Sequence, residues 1–163
     1  INLIAPEIYG PYSGFNPNKN KVIEAAISNI RAAQNTGINL DISGQSKMTR
    51  DFLFITDALE AIETVILYGD DSNTYNMSEG VDYSIKLIHE MLAELCEFEG
   101  SITWGEDLEI DLQKRSCLNT GLIKKELGWE PKFSLRDGLL ETLEYHDKNL
   151  TAKYVRHDSV LQK

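Results

Sequence analysis

The strongest constraint on the fold is an alternation of short apolar runs with longer segments of helical periodicity. Lys21–Gln34 has apolar residues three and four positions apart and is followed by Gly37, a pattern typical of an amphipathic helix with one buried stripe. The same pattern recurs in Asp57–Leu67, Ser84–Leu95, Leu122–Leu127 and Leu135–Tyr145. Apolar or alternating runs predict strands at Ile1–Ile4, Ile38–Ile42, Phe52–Ile55, Thr74–Met77 and Ser101–Trp104. The chain is therefore predicted to have an α/β fold.

The predicted strands are too few and too short for a complete doubly wound sheet. They suit a small α/β lobe that packs on something larger. Beyond Asp147 the sequence becomes polar, so we expect one lobe over residues 1–147 and a frayed polar tail over residues 148–163.

Two pairs of residues have the spacing of a capping box, in which a side chain caps a helix and is answered three residues later. The first pair is Asp57 and Glu60, and the second is Ser134 and Asp137. This spacing favours a capping role for Asp57 over the role of a catalytic acid.

The net charge of −10 over 163 residues makes some classes of binding partner unfavourable. Such an acidic chain should repel nucleic acid and anionic membrane surfaces, although a few arginines could still hold a small anion. Cys96 and Cys117 have no metal-binding spacing, and no apolar run approaches a membrane span. We expect a cytoplasmic protein in which Cys96 is a small core residue.

The chain opens on the apolar run Ile1-Asn2-Leu3-Ile4, with no initiator methionine and no capping residue. We interpret this opening as the interior of a strand and expect the chain to be a fragment, in which Ile1–Ile4 lies where a neighbouring parallel strand is absent or is contributed to a sheet by another chain. Because apolar residues stand next to one another, the strand should be covered on both faces.

Three motifs follow one another at characteristic separations. They are Tyr9-Gly10-Pro11 after a strand, Arg50-Asp51-Phe52-Leu53-Phe54-Ile55-Thr56-Asp57-Ala58 from strand into helix, and Leu127-Gly128-Trp129-Glu130-Pro131 with Ser134–Leu139. Together they resemble the C-terminal half of the extended short-chain dehydrogenase/reductase family, over almost the whole chain. The resemblance implies the small substrate-binding lobe of a Rossmann-type epimerase, dehydratase or reductase, whose cofactor-binding half is absent from this sequence.

The resemblance implies that Arg50 contacts the phosphates or ribose of a nucleotide-sugar substrate, which suits a guanidinium that can pair bidentately with phosphate. The alternative is a surface arginine at a strand start, paired with an acid such as Asp51 or Asp57. Arg115 is a second candidate for the diphosphate, and a solvated charge beside Lys114 is an equal alternative.

The family also implies a cofactor, NAD or NADP, contacted here by Ala5 and Pro6. Glu7, Tyr9 and Val22 are the remaining substrate-binding candidates. Tyr9 could equally be a packing aromatic beside the Gly-Pro turn. Trp104 and Trp129 are expected to be core residues.

The sequence departs from the family pattern at several positions. Glu7 replaces an asparagine that binds the substrate diphosphate, and a carboxylate there would repel phosphate unless protonated or turned away. Ile4 replaces a common arginine, Ser43-Gly44-Gln45 replaces a Gly-x-Gly turn, and Glu24 stands where a proline is frequent. The loop Phe15–Ile23 most resembles the branch of the family that makes GDP-fucose.

The catalytic machinery of the family is absent from this sequence. No glycines are spaced as G-x-G or G-x-x-G, and no tyrosine has lysine four residues later. His89, His146 and His157 build no triad or metal site, so we assign no catalytic and no metal-binding residue.

Two hypotheses stay open. The chain is either the substrate half of an enzyme whose cofactor domain precedes Ile1, or a catalytically inactive ligand-binding or interaction module derived from that half. The expected partners are a nucleotide-diphosphate sugar and the N-terminal cofactor domain. Homodimer formation stays open, because the family's dimer helices lie in the absent half.

Overall fold

A computed structural model describes residues 1–13, 21–42, 46–106 and 115–160, with side chains up to residue 149. The elements are β1 (Asn2–Ile4), β2 (Glu7–Tyr9), α1 (Val22–Thr36), β3 (Leu40–Ile42), β4 (Thr49–Phe54), α2 (Ile55–Tyr68), β5 (Thr74–Asn76), β6 (Asp82–Ser84), α3 (Ile85–Leu95), β7 (Ile102–Trp104), α4 (Gly121–Leu127) and α5 (Leu135–Val160). All five predicted helices and all five predicted strands are confirmed. The short strands β2 and β6 were not predicted.

Strand β4 is the centre of a three-stranded sheet with the order β2-β4-β6. Strand β2 runs parallel to β4, with Glu7 opposite Phe52, whereas β6 runs antiparallel, with Tyr83 opposite Arg50. Two smaller parallel pairs, β1-β5 and β3-β7, complete the described strands. The antiparallel strand β6 sets this lobe apart from an all-parallel sheet.

The core has two parts, one on each side of β4. Phe52 and Phe54 pack with α1, α3 and α5, whereas Leu53 packs with α2 and Trp129 on the opposite side. Side chains alternate between the faces of a strand, and all three are at most 2% exposed. Each such side chain contributes roughly 1.5–3 kcal/mol of transfer free energy when fully buried. Burial on both faces fixes the direction of every side chain along β4.

The predicted helix ends agree with the structure in most places. Gly37 and Gly128 end α1 and α4 with φ angles of 66° and 64°, a left-handed conformation that glycine adopts without strain. Ser84 accepts a hydrogen bond from the Leu87 N–H, and Ser134 accepts one from the Asp137 N–H. The cap by Ser134 is thereby confirmed, and the Asp137 carboxylate answers it by accepting a 2.6 Å hydrogen bond from the Ser134 hydroxyl.

The predicted capping box of Asp57 and Glu60 is wrong. Strand β4 runs directly into α2, which begins at Ile55, so Asp57 lies inside the first turn. Its two carboxylate oxygens accept hydrogen bonds from the backbone N–H groups of Lys132 and Phe133, at 3.0 and 3.1 Å. Asp57 therefore joins α2 to the segment before α5 instead of capping its own helix.

Strand β1 forms as predicted, but the expected burial of Ile1–Ile4 is not found in the described residues. Its only strand neighbour there is β5. Ile1 and Ile4 are 47% and 45% exposed. Helix α2 carries further exposed apolar side chains, which include Leu59, Ile62 and Ile66. We call these five residues the β1–α2 face.

Helix α5 extends to Val160, beyond its predicted end at Tyr145. Helix-forming and polar residues continue past the apolar stripe, and backbone hydrogen bonding does not require a buried face. The division into a lobe and a tail at residue 147 stays a prediction. None of the described helices is both long enough and apolar enough to cross a bilayer.

Candidate functional site

Arg50 lies near the start of β4, and its side chain is half-buried. Its Nη1 donates a hydrogen bond to the carbonyl oxygen of Thr49 at 2.8 Å. The charge of Arg50 also acts on the carboxylate of Glu7, at the start of the neighbouring strand β2. The central strand thus presents a guanidinium beside β2 and the first turn of α1.

The two acids proposed as alternative partners of Arg50 are bonded to other groups. One Asp51 oxygen accepts hydrogen bonds from the Ser78 hydroxyl and, at 3.0 Å, from the Leu118 N–H. Asp57 accepts from two backbone N–H groups near α5. Within the described residues, neither acid is a hydrogen-bond partner of Arg50, and the wider alternative of a structural arginine paired with an acid stays open.

Glu7 is turned toward the N-terminus of α1. Its Oε1 accepts a hydrogen bond of 3.0 Å from the backbone N–H of Val22, the first residue of that helix. Burial raises the pKa of Glu7, the Val22 N–H opposes that rise, and the charge of Glu24 adds to it. The carboxylate thus occupies a helix N-terminus, where backbone donors and the helix dipole favour an anion.

Glu24 lies in the first turn of α1 and is 3% exposed. Among the described residues, neither of its carboxylate oxygens has a hydrogen-bond donor. The Lys21 Nζ lies 3.9 Å from Oε1, too far for a hydrogen bond, and donates instead to the carbonyl oxygen of Ile8 at 3.3 Å. A buried carboxylate without donors is costly, and the Lys21 ammonium at ion-pair distance offsets part of that cost.

Arg115 is engaged by an acid on β6. Its Nε and Nη2 donate to the two carboxylate oxygens of Asp82 at 3.0 and 2.8 Å. These hydrogen bonds hold the pKa of Asp82 well below its usual range. Lys114, the neighbour in the alternative interpretation, lies outside the described residues, but the side chain of Arg115 is 71% exposed. Asp82 uses the Nε and Nη2 donors of this exposed guanidinium, so the remaining N–H groups can donate to a ligand.

Arg50 lies on β4, whereas Arg115 lies on a separate segment that pairs with the first residue of β4. Arg115 forms a parallel bridge with Thr49, and adjacent residues of a strand point to opposite faces. The side chains of Thr49 and Arg50 therefore lie on opposite sides of the strand. A single diphosphate that contacts both Arg50 and Arg115 would therefore have to extend past the first residues of β4, from one face of the strand to the other.

Tyr9 is a core residue in this structure. It is 3% exposed, packs edge-on against Phe52 and Phe54, and donates a long hydrogen bond of 3.4 Å to the Leu135 carbonyl. Burial raises the pKa of its phenol. A Cβ on Gly138 would collide with the Tyr9 hydroxyl, so the packing interpretation describes Tyr9 well.

The remaining site candidates lie at the junction of β1 and β2. Ala5 is exposed and Pro6 is half-buried. Ser43-Gly44-Gln45 and the loop residues 15–20 lie outside the described residues. A cavity of about 400 Å³ is lined by Lys132, Phe133, Asp137, Leu140 and Glu141, none of them a predicted site residue.

The structure groups Glu7, Val22 and Arg50 around the first turn of α1, and it adds Lys21 and Glu24, which were not assigned to the site. One feature of the sequence indicated that Glu24 belongs to the site: glutamate stands there at a position where the family frequently has proline. Asp82 was missed because its partner Arg115 is 33 residues away in sequence.

Comparison with known proteins gives a consistent result. A family model described as the NAD-dependent epimerase/dehydratase family matches residues 1–78. Probable GDP-L-fucose synthase 1 of Oryza sativa subsp. japonica is 26% identical over 92% of this chain and 45% of that protein. A dTDP-glucose 4,6-dehydratase of Xanthomonas campestris pv. campestris is 29% identical over 88% of this chain and 41% of that protein.

Solved structures agree. UDP-glucose 4-epimerase of Thermotoga maritima, solved with UDP-glucose, superposes with a TM-score of 0.77 at 26% identity, over 91% of this chain and 46% of that one. A GDP-L-fucose synthetase of Naegleria fowleri bound to NADP gives a TM-score of 0.79 at 16% identity, over 91% and 45%, which shows the fold alone. The chain spans less than half the length of these relatives.

The matches confirm the predicted resemblance and the predicted fold class. The chain has the α/β architecture of the Rossmann-type epimerases and dehydratases, and in sequence and fold it resembles the C-terminal half of the extended short-chain dehydrogenases/reductases.

Proposed function

We propose that this chain is the nucleotide-sugar-binding half of an NAD(P)-dependent epimerase, dehydratase or reductase. The relatives' names specify GDP, dTDP and UDP sugars or sugar products, so the substrate class is a nucleotide-diphosphate sugar. In this proposal Arg50 is the principal phosphate contact and Arg115 the second, with Glu7 and Val22 beside Arg50, while Tyr9 is buried in the core.

The position of Arg50 carries the proposal. The strand β4 is buried on both faces beyond Arg50, so the direction of its side chain is fixed by the core. The two acids that follow it in sequence, Asp51 and Asp57, accept hydrogen bonds from Leu118 and Lys132. A preorganised guanidinium of this kind is suited to bidentate phosphate binding.

The cofactor half is proposed to dock on the β1–α2 face. That face combines the strand β1, which has one strand neighbour among the described residues, with exposed apolar side chains on α2. An apolar surface beside a free strand edge favours a partner that both extends the sheet and buries the helix.

NAD or NADP would supply hydride transfer in the assembled enzyme. In this chain only Ala5 and Pro6 are assigned to it, and their side chains offer no hydrogen-bonding group. They fit contact with an apolar part of the cofactor. The phosphate-binding loop and the catalytic tyrosine and lysine would have to come from the other half.

The test is a titration of nucleoside diphosphates into the protein and its Arg50→Ala variant. A charged hydrogen bond contributes roughly 1.5–3 kcal/mol, so the substitution should weaken binding about tenfold to a hundredfold. In the complete enzyme, with the cofactor half present, NAD(P) affinity should stay unchanged. Arg136→Ala is the matched control, because Arg136 pairs with Glu94 on the α3–α5 surface. Equal nucleotide affinity of Arg50→Ala and wild type would remove the anchor role.

An inactive binding module is the second candidate. The observation that favours it is the Glu7–Val22 hydrogen bond, in which a carboxylate fills the helix N-terminus at a position where the family binds diphosphate. The intact mass of the protein, together with an assay for reduced cofactor, distinguishes the two. A full-length protein that binds nucleotide sugar without turnover would support the module.

A further inference from the structure

The segment of residues 115–118 carries the second phosphate contact of the proposed function and is fastened to the start of β4. Arg115 forms a parallel bridge with Thr49, and the Ser116 N–H donates to the Thr49 carbonyl oxygen at 3.2 Å. The same carbonyl oxygen accepts a hydrogen bond of 2.8 Å from Nη1 of Arg50. The backbone that carries Arg115 is therefore tied to the edge of β4 toward which the Arg50 guanidinium turns.

Asp51 holds the other end of this segment. The residue is 3% exposed, and its Oδ2 accepts hydrogen bonds from the Leu118 N–H at 3.0 Å and from the Ser78 hydroxyl. The Ser78 oxygen accepts in turn from the Gly80 N–H at 2.8 Å. Hydrogen bonds that link buried groups in this way stiffen the structure around them. The network joins β4, the turn after β5 and the 115–118 segment.

The Asp82 carboxylate holds the Arg115 guanidinium itself. Its two oxygens accept from Nε and Nη2 at 3.0 and 2.8 Å, the paired geometry that arginine and a carboxylate favour. Asp82 is the first residue of β6 and lies opposite Asp51 in the β4–β6 pair. The Asp82 side chain is 15% exposed, whereas that of Arg115 is 71% exposed. Nη1 stays outside the pair, so an anion can reach it from solvent while Asp82 keeps its hold.

We propose that Asp82 is a positioning residue for phosphate binding, which holds Arg115 with its Nη1 side toward the diphosphate, and that Asp51 supports it through Leu118. The inference rests on the proposed function, in which Arg115 is the second phosphate contact. A free arginine side chain has many rotamers, and fixing one of them on binding costs conformational entropy. A guanidinium that is already held loses less entropy when the ligand binds.

The alternative is that Asp82 competes with phosphate for Arg115. Both anions accept hydrogen bonds from the same kind of donor, and the Asp82 charge partly cancels the charge that attracts phosphate. An acid that competes lowers the affinity for the ligand, whereas an acid that positions the guanidinium raises it. Removal of the Asp82 charge therefore has opposite effects under the two explanations.

The experiment is a double-mutant cycle on the binding of UDP, GDP and dTDP, with the matching nucleosides as probes that lack phosphate. Asp82→Asn should bind the preferred nucleoside diphosphate about fivefold to tenfold more weakly than wild type, because the amide has neither the charge nor two acceptor oxygens. Affinity for the nucleoside should not change. In the Arg115→Ala background the same substitution should have no further effect, since Asp82 acts through Arg115.

Glu94→Gln is the matched control, because it also removes one negative charge from an exposed arginine pair, that of Glu94 with Arg136. It should bind the nucleoside diphosphate as wild type does. Three results would overturn the positioning role of Asp82. They are unchanged or tighter binding by Asp82→Asn, an equal loss for nucleoside and nucleoside diphosphate, and a full effect of Asp82→Asn in the Arg115→Ala background.

A second variant keeps the inference testable if Asp82→Asn does not fold. Arg115→Lys keeps the positive charge but lacks the planar fork that Asp82 holds, so it should lose nearly as much affinity as Arg115→Ala. Wild-type affinity of Arg115→Lys would show that charge is sufficient without position and would contradict the inference. Failure of all three nucleoside diphosphates to bind wild type contradicts the proposed function itself, whereas binding that does not depend on Asp82 contradicts only the positioning role.

Discussion

Replacement of Asp57 by alanine should destabilise the fold more than any exposed charge change in the same helix. The carboxylate is 1% exposed and accepts hydrogen bonds from the backbone N–H groups of Lys132 and Phe133. A hydrogen bond to a charged group contributes about 1.5–3 kcal/mol. Two such bonds set an upper range of roughly 3–6 kcal/mol, and partial access of water to the N–H groups lowers the expected loss to about 3 kcal/mol.

Urea denaturation of Asp57→Ala and wild type measures this loss, and thermal unfolding should show a midpoint lowered by about 6–12 °C. Glu60→Ala is the matched control, one turn later on α2. Glu60 contacts the ammonium of Lys132, but this ion pair is exposed and should contribute at most about 1 kcal/mol. Similar losses for the two variants would refute the argument that Asp57 joins α2 to the 132–133 segment.

Two further substitutions test the core. Gly138→Ala would normally favour a helix, but here its Cβ would lie 2.9 Å from Phe54 Cδ2 and would also collide with the Tyr9 hydroxyl, so calorimetry should show a loss of about 1–3 kcal/mol. A gain in stability would contradict the close packing. His89 has its pKa lowered by burial. The unfolded state therefore takes up a proton more readily, and stability falls as pH drops below the unfolded value of about 6.5, by at most about 1.4 kcal/mol per pH unit. Denaturation of His89→Gln between pH 7 and pH 5 should show a smaller slope, and an unchanged slope would exclude His89 as its source.

Periodicity was sufficient to predict the helices because each buries a continuous stripe. The stripe of Ile23, Ile27 and Ile30 on α1 is completely buried, as its spacing indicates. The strands β2 and β6 are as short as β1, β3, β5 and β7, but two of the three residues of β6 are polar and β2 begins at Glu7 directly after Pro6. Their position beside β4 depends on pairing between residues more than 30 positions apart.

The hydrogen-bond partners of the buried carboxylates could not be predicted from the sequence. Asp57 and Glu60 have the spacing of a capping box, but the strand enters the helix directly, and the partner of Asp57 lies 75 residues away. Asp51 likewise contacts Leu118, 67 residues away. Spacing describes local geometry, whereas these contacts arise from tertiary packing. The position of Arg50 could be predicted from the resemblance, but the burial of Glu24 beside Glu7 could not.

A crystal structure of the protein with a bound nucleotide-diphosphate sugar tests the central claim most directly. The account predicts the diphosphate within hydrogen-bond distance of the Arg50 guanidinium, beside Glu7 and the first turn of α1. A ligand bound in the cavity at Phe133 and Leu140, or anywhere else away from Arg50, would contradict it.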